Sequence, residues 1–233
     1  MKSTTAIPTG GYLAVADFNH DGKMDFATSG NLLALGNGDG TFQTPVTFVS
    51  DPPWDGFNFI ATGDLNNDGW PDLVLTNTSN DFIYVLINNQ QGGFTQTVIT
   101  AAPGTGAFAP AQLALADLNG DGNLDAVIGS LDGGAGIYLG KGEGTLTYKG
   151  ALTNPVGLQN PLVIADVNGD GIPDVCLLEG NTVGVFLGNR NGTFEAQLGF
   201  GAGPAPGFIL TENLHGQLPA AGLPAWRRMP PAE

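Results

Sequence analysis

A nine-residue pattern, D-x-N-x-D-G-x-x-D, occurs four times in this chain and constrains its fold more than any other feature. The copies begin at Asp17, Asp64, Asp117 and Asp166, so the pattern recurs about every 50 residues. A period of this length is typical of propellers, solenoids and other arrays of one repeated supersecondary unit. We therefore expect the 233 residues to form one domain of repeated units.

Each repeat divides at its turn residues into short apolar segments. YLAVA, FNFIAT, QLALA and PLVIA precede the four copies, and MDFATS, PDLVLTN, LDAVIGS and PDVCLLE follow them. A third set, LLALG, FIYVLI, GIYLG and VGVFLG, leads through a Gly/Asn turn into a fourth segment. Such short runs of Val, Ile, Leu and Phe favour strands, and the 37 glycines and 16 prolines leave no room for helices of ordinary length.

The predicted fold is all-β: a β-propeller whose blades are four-stranded antiparallel sheets around a central channel. Strand one of each blade is expected innermost and strand four outermost. The 1-to-2 and 3-to-4 connections then share one face of the propeller. We predict one propeller over residues 1–216 and an irregular tail over 217–233. The predicted blades are residues 11–50, 58–101, 111–153 and 161–200, with a partial, degenerate fifth blade at 207–216.

The repeated pattern has the chemistry of a calcium loop. Calcium prefers six to eight hard oxygen ligands, and positions 1, 3, 5 and 9 supply Asp, Asn, Asp and Asp. Position 7 would contribute its main-chain oxygen, which explains why its side chains have nothing in common. The predicted ligands of four Ca²⁺ ions are Asp17, Asn19, Asp21, Lys23 and Asp25; Asp64, Asn66, Asp68, Trp70 and Asp72; Asp117, Asn119, Asp121, Asn123 and Asp125; and Asp166, Asn168, Asp170, Ile172 and Asp174.

The pattern departs from an EF-hand after its glycine. Position 12 carries no glutamate; it belongs to an apolar segment, so the loop joins two strands and the aspartate at position 9 replaces the missing ligand. An ordinary hairpin turn, closed by local Asp and Asn hydrogen bonds, is the alternative. Four copies with three close carboxylates each favour a cation, since unneutralised carboxylates repel one another. The residues at position 12 are Thr28, Leu75, Ile128 and Leu177.

Charge and composition limit the classes of binding partner that we expect for this chain. The formal net charge is −15 although only 12% of residues are charged, because twelve of the 22 acidic residues belong to the four patterns. Four divalent ions would offset about half of that charge, and nucleic acid is an unfavourable partner. No apolar run is long enough for a membrane span, so membrane insertion is not expected. The single cysteine, Cys176, lies in an apolar segment and is expected to be a buried thiol.

The loops, the "PDLVL" segment and the "GNGDGTF" turn resemble the FG-GAP or VCBS repeats of integrin α-chain propellers, fungal propeller lectins and bacterial surface proteins. The resemblance covers about residues 11–200. It implies a seven-bladed ring with calcium in several 1-to-2 loops, and the ligands named above. It also implies a role in adhesion, in carbohydrate binding, or as an accessory module of a secreted enzyme.

The chain departs from the family pattern near its end. In the fifth copy, Thr211, His215 and Pro219 stand where the aspartates would be, so no calcium is expected there. Four blades of seven would leave open edges. The sequence favours a fragment of a longer protein; a compact four-bladed closure and assembly from two chains remain alternatives.

The predicted function is a calcium-stabilised extracellular recognition or adhesion module without catalytic activity. Its partner would be an extracellular protein or glycan, and open blade edges would allow association. The alternatives are a lectin propeller, in which Trp54 and Phe57 stack on sugar, and an accessory propeller of a polysaccharide-degrading enzyme. No nucleophile or zinc motif is present, and His20 is expected to point away from the metal. We expect secretion or display at the cell surface, although no signal peptide is visible.

Overall fold

The computed structural model describes residues 11–49, 59–100, 109–131, 133–153 and 161–203. Within these ranges the chain forms sixteen strands and no helix. The strands build four separate sheets, each containing four antiparallel strands that pair in chain order. The predicted all-β fold with four-stranded blades is therefore confirmed.

Each blade contains one copy of the repeat. The first two blades consist of β1 (Leu13–Ala16), β2 (Asp25–Thr28), β3 (Leu32–Ala34) and β4 (Val46–Thr47), and of β5 (Phe59–Gly63), β6 (Asp72–Asn77), β7 (Phe82–Asn88) and β8 (Phe94–Thr100). The third and fourth blades consist of β9 (Pro110–Ala116), β10 (Asp125–Ser130), β11 (Ala135–Gly140) and β12 (Leu146–Leu152), and of β13 (Leu162–Ala165), β14 (Asp174–Glu179), β15 (Thr182–Phe186) and β16 (Leu198–Gly201).

After their first aspartate, the second strands are mainly apolar because both of their faces are buried. In β6, Leu73 and Leu75 pack into the cluster shared with the first blade, and Val74 packs into the cluster shared with the third. Successive side chains of a strand point to opposite faces. A continuous apolar run in this chain therefore indicates a strand that is buried on both faces.

The inner strands pack side by side in the order β1, β5, β9 and β13. This order confirms that strand one of each blade is the innermost. Among the described strands, β13 does not pack back against β1 in the same way, so the described blades form an open series. Leu13 and Val15 of β1 are accordingly more than half exposed.

The outer strands differ between the blades. We expected the fourth strand to run on directly from the Gly/Asn turn, and it does so in β8 and β12. In the first and fourth blades it is split into an isolated bridge, Gly36 with Phe42 or Gly188 with Phe194, and a short strand farther on. In the first blade, Pro45 lies in the gap and has no N–H to donate to the ladder.

Cys176 is a free, buried cysteine in β14, as predicted, and burial raises the pKa of its thiol to about 11. No helix of the described chain is long and apolar enough to cross a bilayer. Several sequence predictions lie outside the described residues: the partial fifth blade, the tail, and the aromatic pair Trp54 and Phe57.

Candidate metal centres

The four copies of the pattern form the connections between strands one and two. Positions 1 to 8 make the loop, and position 9 is the first residue of β2, β6, β10 or β14. The 3-to-4 turns lie beside these loops, because the N–H of Gly36 at the end of the first blade's third strand donates to Asp25 Oδ1 at 2.7 Å. Both kinds of connection therefore share one face, as predicted.

The side chains at positions 1, 3 and 5 form what we call the rim of each loop. In the first loop, the N–H of Asp21 donates to Asp17 Oδ1 at 3.0 Å and to Asn19 Oδ1 at 3.1 Å. The N–H of Gly22 donates to Asp17 Oδ2 at 2.8 Å. The other three loops repeat all of these bonds. The rim residues are Asp17, Asn19 and Asp21; Asp64, Asn66 and Asp68; Asp117, Asn119 and Asp121; and Asp166, Asn168 and Asp170.

Glycine at position 6 is required by the backbone of the loop. The φ angles there are 81°, 84°, 85° and 78° in the four blades, in the left-handed region that side chains disfavour. This turn aims the N–H groups of positions 5 and 6 inward at the rim oxygens. The recurring glycine thus holds three oxygen-bearing side chains in one place.

The aspartates at position 9 form what we call the floor of each loop, and they are fully buried. Their Oδ2 atoms accept the N–H of position 2 at 2.9 Å in every blade. Their Oδ1 atoms accept an N–H from the end of strand three at 2.7 to 2.9 Å. Each floor aspartate therefore links its loop to the end of strand three in the same blade. The floor residues are Asp25, Asp72, Asp125 and Asp174.

Burial controls the ionisation of the floor. The pKa of each of the four carboxyls is raised, first by loss of hydration and also by the neighbouring rim aspartates, against the lowering effect of the two N–H donors. Asp72 is the most affected, with its pKa raised to about 6. Without a cation, the floor is the part of the loop that resists carrying charge.

Sequence reasoning missed the residues that complete the floor. The N–H donors at the end of strand three come from Gly36, Asn88, Gly140 and Gly188. In the three glycine cases a Cβ would collide with the carbonyl oxygen of position 8. In the second blade the Asn88 side chain donates to that carbonyl, Pro71 O, at 3.2 Å. A glycine recurring before the 3-to-4 turn in three of the four described blades was the available signal.

Three of the rim aspartates at position 5 have lowered pKa values. The pKa of Asp21 is lowered chiefly by a hydrogen bond from the Lys23 ammonium, and that of Asp121 by the N–H of Asn123. For Asp68, burial acts to raise the pKa, but hydrogen bonds from the Trp70 N–H and two side-chain amides outweigh it and lower the pKa. At these three rim positions hydrogen bonds favour the charged carboxylate, whereas burial disfavours it at the floor.

Side chains at positions 4 and 7 link neighbouring loops. His20 stacks on Trp70 with ring centroids 3.9 Å apart and an interplanar angle of 10°. Asn67 Nδ2 donates to Asn123 Oδ1 at 2.7 Å. His20 is exposed. The first loop therefore contacts the second, and the second contacts the third, through residues that are not rim or floor.

The chemistry of the rim fits a hard cation. Among the described residues, no three His, Cys, Asp or Glu side chains come together as a metal-holding group. The reason is that each loop turns its floor carboxylate to backbone N–H groups and leaves two carboxylates and one amide on the rim. All three rim side chains offer oxygen, which calcium prefers. Carboxylate and amide oxygens carry two lone pairs, so an oxygen that accepts one N–H keeps capacity for a cation.

Comparison with protein families gives one match. The FG-GAP-like repeat matches residues 26–75, 64–128 and 117–177. These matches overlap and together run from residue 26 to residue 177, more than half of the chain. No curated protein matches the sequence.

Solved structures with a similar fold include an Agrocybe aegerita lectin that recognises non-reducing terminal N-acetylglucosamine, with 24% identity and a TM-score of 0.62. BBS1N, solved in complex with ARL6DN, has 14% identity and a TM-score of 0.54. A Lactobacillus plantarum protein has 20% identity and a TM-score of 0.52. The matches cover 80%, 78% and 81% of this chain but only 52%, 54% and 57% of those structures.

Proposed function

Because the chain belongs to the FG-GAP-like repeat family, we propose that it is a recognition or adhesion module that acts outside the cell. In this proposal, calcium at the four rims stabilises a β-propeller that has no catalytic activity of its own. The ligand would be an extracellular protein or a glycan.

The observation that carries the proposal is the repeated geometry of the rim. In four loops, the N–H groups of positions 5 and 6 hold the same three oxygen-bearing side chains together. Close carboxylates of equal charge repel one another, so a bound cation would relieve that repulsion. Ligands that are already held in place lose less conformational entropy on binding. Of the predicted ligands, the side chains at positions 1, 3 and 5 and the main-chain oxygen at position 7 would hold the ion. The position-9 aspartates, predicted as ligands too, already accept two N–H groups each. The charge of the ion would stabilise the loops that join strands one and two.

The composition of the loops favours weak binding of the extracellular kind. Position 12, which supplies a bidentate glutamate in high-affinity calcium loops, lies in the apolar strands β2, β6, β10 and β14. Extracellular calcium modules bind with dissociation constants of about 10⁻⁴ to 10⁻³ M. A site of this affinity is filled only where calcium is abundant, which supports a position outside the cell.

Calcium removal tests the proposal. At a hundredfold excess over Kd, a cation that binds only the folded state adds about 2.7 kcal/mol per site. We expect EGTA to lower the melting temperature strongly and added calcium to restore it, with magnesium as the control for nonspecific charge screening. A melting curve that does not respond to EGTA would contradict calcium stabilisation.

The absence of catalysis is tested separately. We expect no lyase or hydrolase turnover on uronate-containing polysaccharides at calcium saturation. Sustained turnover that disappears when the protein is heat-unfolded would show that the propeller is itself an enzyme.

Carbohydrate binding is the second candidate. The observation in its favour is the likeness to the lectin that recognises terminal N-acetylglucosamine, which at 24% identity extends to the fold only. Trp54, the aromatic residue named from sequence, lies outside the described residues. A glycan array with the Trp54→Ala variant as control tests this candidate: it fails if the unaltered protein binds no glycan.

A further inference from the structure

The first loop differs from the other three at a ligand atom, the Oδ2 oxygen of the aspartate at position 5. In the first loop, Asp21 Oδ2 accepts a hydrogen bond from the Lys23 ammonium at 3.1 Å. In the other loops the same atom accepts a neutral side-chain amide from position 3. The amide donors are Asn66 for Asp68, Asn119 for Asp121 and Asn168 for Asp170, each at 2.9 Å.

Contacts within the first blade hold the Lys23 side chain in place. Its carbon stem lies against Gly38 in the turn between β3 and β4, where a Cβ on Gly38 would be 3.1 Å from the lysine Cδ. The stem and the bond to Asp21 together hold the ammonium beside the rim. The second and fourth blades have Gln90 and Arg190 at the place of Gly38. The third blade has a glycine there, Gly142, but Asn123 at position 7, so a lysine packed on this turn occurs only in the first of the four described blades.

We propose that Lys23 lowers the cation affinity of the first loop below that of the second, where Asp68 Oδ2 accepts only neutral side-chain amides. The inference rests on the proposed function, namely that the rims bind calcium. Position 7 would contribute only its main-chain oxygen, which every residue has. The side chain of Lys23 would therefore act on affinity through its charge, without being a ligand.

Two electrostatic effects act in the same direction. A cation that binds Asp21 must displace or share the carboxylate with the ammonium, and the ammonium then repels the divalent ion. The Lys23 and Asp21 side chains are 41% and 30% exposed, so solvent screens both effects. We expect a first site about threefold to tenfold weaker than the second at low salt. The difference should shrink in high salt, because the Debye length falls from about 10 Å at 0.1 M to about 3 Å at 1 M.

Variants that leave one rim complete allow each site to be measured alone. One triple variant keeps the rim of the first loop complete and carries Asp68→Asn, Asp121→Asn and Asp170→Asn. A second triple variant keeps the rim of the second loop complete and carries Asp21→Asn, Asp121→Asn and Asp170→Asn. Calcium affinity of each is measured by isothermal titration at about 20 mM and about 500 mM salt. Lys23→Gln, Lys23→Arg and, as a control on the same face, Lys141→Gln are then added to the first-loop background.

The expected result is a threefold to tenfold gain in affinity for Lys23→Gln at low salt, a much smaller gain at high salt, and no gain for Lys23→Arg or Lys141→Gln. Circular dichroism before titration verifies that each variant is folded. If calcium binds the first loop but Lys23→Gln changes nothing, the inference is overturned and the proposed function stands. If the unaltered protein binds no calcium at millimolar concentration, both are overturned.

Discussion

The rim and the floor of each loop both contain aspartate, at positions no more than eight residues apart, yet the two sets of aspartates have opposite surroundings. At the rim, Asp21, Asp68 and Asp121 have lowered pKa values and lie at the surface. At the floor, the four aspartates are fully buried, have raised pKa values and accept N–H groups from two other parts of their blade. The rim is suited to meet a cation, whereas the floor is part of the folded core.

The nine-residue pattern therefore combines two roles: its rim aspartates offer oxygen to a cation, and its floor aspartate stabilises the fold. An interpretation of the motif as a metal site alone would give all three aspartates the same role. The hydrogen bonds of the floor instead bind strand two to the loop and to the end of strand three, whether or not a cation is present. Stability without metal should therefore depend on the floor, and stability gained with metal should depend on the rim.

The largest expected effect is the difference between Asp72, at the floor of the second loop, and Asp68, at its rim, in metal-free protein. Asp72→Ala leaves the buried N–H groups of Leu65 and Asn88 without their acceptor, and it should lower the free energy of unfolding by about 2 to 5 kcal/mol. Asp68→Ala, at the exposed rim, should cost less than about 1 kcal/mol. Urea unfolding in the presence of a chelator measures both. Equal costs would show that rim and floor do not differ in this way.

When calcium is added, the rim aspartate Asp68 should contribute more to the calcium-dependent part of the stability than it does to the stability of the metal-free protein. At a hundredfold excess over Kd, Asp68→Asn should lose about 2.7 kcal/mol of calcium-dependent stabilisation, since the second rim can no longer hold its ion. Glu143→Gln removes an equal charge from the turn between β11 and β12 and serves as the control. Urea unfolding with and without calcium gives the difference. Full calcium stabilisation in Asp68→Asn would mean that the rim is not where the ion acts.

A smaller effect is expected at Asn88, which links the floor of the second loop to the main chain of the first loop. Its Nδ2 donates to Phe18 O in the first loop at 2.9 Å, and the residue is 4% exposed. Asn88→Ala should lower the free energy of unfolding by about 1 to 2 kcal/mol, because a buried carbonyl loses its donor. Asn67→Ala removes the exposed contact to Asn123 and should cost less than about 0.5 kcal/mol. If the two variants cost the same, burial is not what gives these inter-blade bonds their strength.

The smallest expected effect is a pH dependence of the metal-free protein. The pKa of Asp72 is raised to about 6, whereas an unfolded chain releases that proton near pH 3.9. Between these values the folded state binds more protons, so its stability should increase as pH falls from 7 to 5, by on the order of 1 kcal/mol after solvent screening. Asp72→Asn should flatten this dependence. Urea midpoints of metal-free protein at pH 7, 6 and 5 measure it; a fall in stability over this range would give the opposite sign.

Much of the fold could be predicted because the repeat is local and regular. The period, the four apolar segments and the punctuating glycines predicted sixteen strands in four sheets. The split outer strands of the first and fourth blades were not predicted, since alternation alone does not reveal where a ladder is interrupted. The placement of the loops and the 3-to-4 turns on one face followed from strand order, and the structure confirms it.

The candidate site also has a part that could be predicted from the sequence and a part that could not. Spacing within nine residues brought the rim residues together, and their hydrogen bonds span only two to five positions. The partners of the floor could not be found by spacing. Asp25 meets Gly36, eleven residues on, and Asn88 meets Phe18 across seventy residues. Which oxygen of Asp21 receives Lys23 also depends on the turn that contains Gly38.

By itself, the sequence determined the repeated unit, its strands and the gathering of oxygen atoms at each rim, because these depend on backbone geometry over a few residues. Only the tertiary structure decided which aspartate is buried, which N–H groups it binds and which loop has a lysine beside its ligand oxygen. Those outcomes depend on hydration lost between packed blades and on side chains that meet from distant positions. Identical motifs thus acquire different electrostatics from their neighbours.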